Sequence, residues 1–174
     1  MKCSLDLLKQ SKVRYSWSTL FVGIKLGLLQ QNSVISYAEE LINDSPEINN
    51  NDIIELLWAK SEEQIDQILE RLVFKKDEIF DETIEKRKLS FSILNQLIVD
   101  IQDEEELLEK VAEVYSIMGY PDEMSSFIYY LPPDDGHDPL AYSKEKNLNR
   151  LIVNLNKYVT KEREFLQIFR NQDH

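Results

Sequence analysis

Residues 103–119 read DEEELLEKVAEVYSIMG, and this stretch decides the fold class. Asp103 stands where a helix cap is wanted, and three glutamates follow in the first turn, where negative charge complements the positive end of the helix dipole. Gly119 marks the stop, as glycine does when a chain must leave a helix through the left-handed region. This is the clearest helix in the chain, and the segments on either side repeat its logic.

Upstream, Ser61 and Gln64 have capping-box spacing, and Ile65, Ile68, Leu69, Leu72 and Val73 supply an apolar stripe that predicts a helix to Phe74. From 77 to 101 the apolar pattern continues through Ile79, Phe80, Ile84, Leu89, Leu94 and Ile101 with no Gly or Pro. One long helix, or two meeting near Lys88, fits. Downstream, Pro121 and Asp122 open a short helix over about 122–131, and LPPDDGHDPLAY at 131–142 is an irregular connection, because it gathers three of the five prolines. Ser143 then opens a final helix to about 170, with a break allowed at Thr160.

In the first half, Ser16 caps a helix over about 17–29, and Ser33 opens another that ends near Asn43. NDSPEINNND at 43–52 reads as a loop, and IIELLWA sits on a short helix over about 52–60. No hairpin joins two alternating runs, so the fold class is all-α: a multi-helix bundle or a short stack of helical hairpins, about seven to eight helices. No aligned repeat of 33 to 47 residues is present. The length of 174 residues sets one domain over 1–174, with 1–14 and 171–174 expected to be flexible ends.

Hydrophobic residues make 43% and charged residues 30%, an ordinary globular balance, but the formal charge is −12. Residues 1–60 contribute −1, 61–138 contribute −14 and 139–174 contribute +3. Such a chain is expected to bind neither nucleic acid phosphates nor an anionic membrane, and its charged partners should be basic proteins. The single cysteine, Cys3, excludes an intramolecular disulfide. The opening residues lack the apolar core of a signal peptide, and no run of 18 apolar residues occurs, so a cytoplasmic location is expected.

Candidate binding residues are Glu62, Glu63, Glu104, Glu105 and Glu106 from the acidic middle, Tyr129 and Tyr130 as neighbours that cannot share one helix face, and Asp134 and Asp135 of the proline-rich loop. The other reading of the acidic residues is a solvated helix surface that keeps the chain soluble. Trp17 and Trp58 lie on apolar stripes and are expected in the core. Gly23 and Gly27, four apart, would admit a second helix. Asp134, Asp135, His137 and Asp138 hold metal-donor atoms without the spacing of a calcium loop or a zinc site, so a solvated turn is the expectation and no metal is assigned. No cofactor is expected either. Cys3 has no base beside it, and His174 stands at the terminus, so no nucleophile or triad can be assembled. The chain is not expected to be an enzyme.

Residues 15–42, YSWSTLFVGIKLGLLQQNSVISYAEELI, followed by DIIELLWA at 52–59, resemble the N-terminal part of a bacterial family of small acidic proteins of unknown function. Members are often considered immunity proteins of polymorphic-toxin systems. The resemblance covers about 14–70 through Trp17, Gly23, Gly27, Leu28, Leu29, Tyr37, Ala38 and Trp58, and it brings no catalytic residue. It implies a cytosolic, non-catalytic protein that binds and blocks a toxin domain. Two other classes remain open: a helical scaffold or homo-oligomeric subunit, and a metal-dependent enzyme built on the 134–138 loop.

Overall fold

The computed structural model of the chain describes residues 3–45, 50–75 and 80–172, with side chains as far as Gln167. The fold is all-α. Among the described residues there are eight α-helices and no strand: α1 (Leu5–Gln10), α2 (Trp17–Lys25), α3 (Gln31–Asp44), α4 (Asn51–Leu57), α5 (Glu62–Phe74), α6 (Glu82–Asp100), α7 (Glu104–Ile117) and α8 (Lys144–Gln172). Two 3-10 helices, Asp122–Phe127 and Pro139–Ala141, lie between α7 and α8. The chain divides into two compact units, Met1–Leu89 and Ser90–His174, so the boundary falls inside α6.

In the first unit α2 rests on α5, α3 packs on α4 and α5, and α1 lies against α3. Leu8, Leu20, Leu28, Val34, Ala38, Leu56 and Leu69 fill the space between them. The sequence reading leaves residues 1–14 without an element, but Ser4 caps α1 and Leu5 and Leu8 anchor it in this core. Helix α2 stops at Lys25 rather than near 29, because Gly27 turns left-handed at φ 68° and the Leu28 and Leu29 amides both donate back to the Gly23 carbonyl. The absent side chain at Gly23 makes room for Leu29 of that turn, whose Cδ1 would lie 2.5 Å from an added Cβ. The two glycines therefore close a helix end and do not seat a second helix.

Helix α3 starts at Gln31, two residues before the expected Ser33 opening. Of the 43–52 loop, residues 46–49 lie outside the described set, Asn43 and Asp44 are helical, and Asn50 caps α4 by accepting the Asp52 amide at 3.0 Å. At α5 Ser61 accepts the Gln64 amide, while the Gln64 side chain reaches back to the Lys60 amide at 2.8 Å. This is the capping box with its return bond displaced by one residue.

Asp81 accepts the Thr83 and Ile84 amides, and α6 then runs unbroken past Lys88. Every residue from Leu89 to Leu94 is buried. In the second unit α8 packs on α7 and on the Asp122–Phe127 helix, around Leu94, Leu108, Met124, Phe127, Ile128 and Leu155. Asp103 caps α7 through the Glu106 amide at 2.9 Å, and Gly119 leaves the helix at φ 85°.

The expected α-helix at 122–131 is a 3-10 helix that ends at Phe127. Pro132 and Pro133 follow within a few residues, and a residue before proline is pushed out of the helical region. The 131–142 connection is irregular except for its Pro139–Ala141 turn, where proline has no amide to lose. Helix α8 does not break at Thr160. Its hydroxyl donates to the Asn156 carbonyl at 2.9 Å and stays within the helical ladder.

Candidate interaction surface

Glu62, Glu63, Glu104, Glu105, Glu106, Asp134 and Asp135 are all exposed. Their exposure follows from local structure, since Glu62–Glu63 and Glu104–Glu106 occupy the first turns of α5 and α7, opposite the apolar stripes that face the cores. Among the described residues, Glu105 pairs with Lys144 at 2.5 Å and Asp135 with Arg150 at 2.5 Å, whereas Glu62, Glu63, Glu104, Glu106 and Asp134 make no ion pair. Glu62 and Glu63 belong to the first unit and the other five to the second.

The proline-rich loop is held against the start of α8. Arg150 grips the Asp135 carboxylate, which also accepts the His137 amide, and these bonds hold the Asp135 carboxyl below its ordinary range. The Asn147 amide group donates to the Pro139 carbonyl, while its oxygen meets His137 Nε2 at 2.8 Å. The His137 ring stacks on Tyr142 at 4.8 Å, and Asp138 caps the Pro139 turn. Three of the four candidate metal donors, Asp135, His137 and Asp138, thus serve the loop in separate ways. Among the described residues no group of three His, Cys, Asp or Glu is placed to hold a metal ion. The cavity under the loop, lined by Tyr129, Pro133, His137 and Arg150, is about 90 Å³.

Tyr129 and Tyr130 both reach solvent, with their rings 5.3 Å apart and edge to face. Trp17 is half-buried against Tyr37. Trp58, expected in the core, is 77% exposed at the end of α4, together with Ile54 and Leu57. The reason is its place around the helix axis: Trp58 stands four residues after Ile54 and shares that outward side, roughly 140–200° around from the buried Ile53 and Leu56. Cys3, placed by the sequence on a loose end, is buried, with its amide bonded to the Leu28 carbonyl, and burial pushes its thiol up to about 11. Burial thus lowers the thiolate fraction on which a nucleophilic cysteine depends.

Two features escape the sequence reading. A groove of about 610 Å³ in the first unit lies between the α2–α3 turn and the α4–α5 turn, lined by Ile24, Leu29, Asn32, Lys60, Glu62 and Ile65. The second is Tyr120, a non-glycine residue at φ 61°. The glycine before it announces a helix end, but no signal in the sequence announces a second left-handed residue.

Among the described residues no helix is long and apolar enough to cross a membrane. No curated protein and no solved structure matches the chain. A family model described as an uncharacterized protein conserved in bacteria matches residues 5–163, nearly the whole chain, and the protein therefore belongs to that family, DUF2247.

Proposed function

We propose that this protein is a non-catalytic binding module of the bacterial cytoplasm, an immunity protein that neutralises a toxin domain by presenting an acidic surface to it. The observation that carries this reading is the set of five exposed carboxylates, Glu62, Glu63, Glu104, Glu106 and Asp134, that make no ion pair among the described residues. Charge that is not neutralised within the molecule acts at a distance, attracting a basic surface and raising the association rate. Cys3 and His137 have structural roles: Cys3 is buried with its amide on the Leu28 carbonyl, and His137 is bonded to Asn147. The test is a pull-down from lysate of the source bacterium at low and moderate salt, using wild type and a variant with Glu62, Glu63, Glu104, Glu105 and Glu106 changed to Lys. A stoichiometric basic protein lost from the variant and at the higher salt supports the reading. Equal recovery in all lanes overturns it.

A second reading, self-association, draws on the exposed apolar face of Ile54, Leu57 and Trp58. It must bring together two chains that each carry a charge of −12. Light scattering decides it, since a monomer at high concentration removes it.

A further inference from the structure

From Val111 to Ser143 the chain has no Lys or Arg, yet it holds five of its eight tyrosines and six of its carboxylates. Three of these tyrosines converge. Tyr120 packs edge to face on the buried Tyr115 at 5.3 Å, and its hydroxyl meets Ser116 at 3.1 Å. Tyr129 and Tyr130 form the second edge-to-face pair, and the Tyr130 phenol lies within electrostatic range of Tyr115, Tyr120 and Tyr129. Tyr120, Tyr129 and Tyr130 are 58%, 54% and 51% exposed, so each keeps much of its ring in water. Tyr120 holds its place through a left-handed backbone that a side-chain-bearing residue adopts only at a cost, a conformation that concentrates at binding sites. Asp122 and Glu123, both exposed, directly follow Tyr120 and Pro121.

We infer that Tyr120, Tyr129 and Tyr130, with Asp122 and Glu123 beside Tyr120, form a platform that receives arginine or lysine side chains of a basic protein. The inference deepens the proposed function, on which it rests, by moving the anchor from the acidic helix starts to the tyrosines. The occupant is set by charge: a ring face attracts a cation, the neighbouring carboxylates add to the attraction, and Arg150, which lines the cavity beside Tyr129, is held by Asp135. Tyrosine also gives large contact area for few rotatable bonds, which suits an anchor. The exposed carboxylates steer the encounter over long range, and the rings hold the partner once it has arrived.

The test titrates the full chain with a short arginine-glycine peptide, and with its citrulline counterpart, following the ring proton signals of the three tyrosines. The arginine peptide should shift all three sets, and the neutral citrulline peptide should not. Changing Tyr120, Tyr129 and Tyr130 together to Leu should weaken binding about tenfold, whereas the three Phe replacements, which keep the rings, should stay within about twofold. A Leu variant that binds as tightly as wild type, or a Phe variant that loses as much as the Leu variant, overturns the platform. A companion variant with Glu62, Glu63, Glu104, Glu105 and Glu106 changed to Gln separates the two claims. Its binding should become less salt-dependent, since Asp122 and Glu123 remain beside the rings, and keep the tyrosine shifts, and loss of those shifts contradicts the platform while leaving the acidic reading standing.

Discussion

Each unit exposes aromatic side chains, and the two sets differ in chemistry. In the first, Trp58 stands beside Ile54 and Leu57 at the end of a helix of seven residues, an apolar face with little to orient a partner. In the second, three tyrosines bearing hydroxyls are buttressed by each other and by Tyr115, in a segment without a single Lys or Arg. Exposure alone therefore does not define an interface. The surroundings decide: the α4 face favours any apolar surface, whereas the tyrosine set selects for cations.

The comparison breaks most visibly at the support beneath the second set. Phe127 is fully buried, 5.2 Å from Tyr158, and lies two residues before Tyr129. Phe127→Ala should cost about 3–5 kcal/mol, read from the urea midpoint, because it opens a cavity in the core of the second unit. The support of the first set is electrostatic. Asp52 is buried on α4 and accepts hydrogen bonds from Lys75 at 2.8 Å and Arg71 at 3.1 Å, with the Lys75 bond foremost in holding its carboxyl below the ordinary value. Asp52→Asn should cost about 1–3 kcal/mol at neutral pH. A depressed carboxyl contributes stability above its unfolded value and loses it as pH falls through the folded one, so wild type and variant should converge in strong acid.

A smaller effect is expected at the start of α7. Asp103→Ala removes the bond to the Glu106 amide and should cost about 1 kcal/mol, measured by thermal unfolding. It lies far along the helix from Tyr115 and should leave the tyrosine signals in place. The smallest effect belongs to Trp58→Ser, which should change stability by no more than about 0.5 kcal/mol, since the ring is in water. If it also leaves the molecular mass in light scattering unchanged, the apolar face is not a self-association site.

Much of the fold was legible because helix caps are local chemistry. Ser16, Ser61 and Asp103 stand at the starts they predict, and Phe74 and Gly119 at the ends. Failures came where a start or end depends on packing. Ser33 looks like a cap, yet α3 begins at Gln31, and Trp58 shares the outward side of α4 with Ile54 and not the buried stripe of Ile53 and Leu56. The candidate surface was legible by residue type but not by arrangement. The acidic first turns, Tyr129 and Tyr130 were identified, but the part of Tyr120 depends on a backbone conformation and on a ring contact that no spacing rule encodes.

The central claim is that exposed carboxylates and tyrosines of this chain bind a basic protein. The most direct measurement is the affinity of the basic protein recovered from the source lysate, followed across salt concentration for wild type and for the variant with Glu62, Glu63, Glu104, Glu105 and Glu106 changed to Lys. Binding should be tight in wild type, weaken steeply with salt, and fall by at least about tenfold in the variant at low salt. Recovery of no basic protein, or an affinity that neither salt nor the substitutions alter, would contradict it.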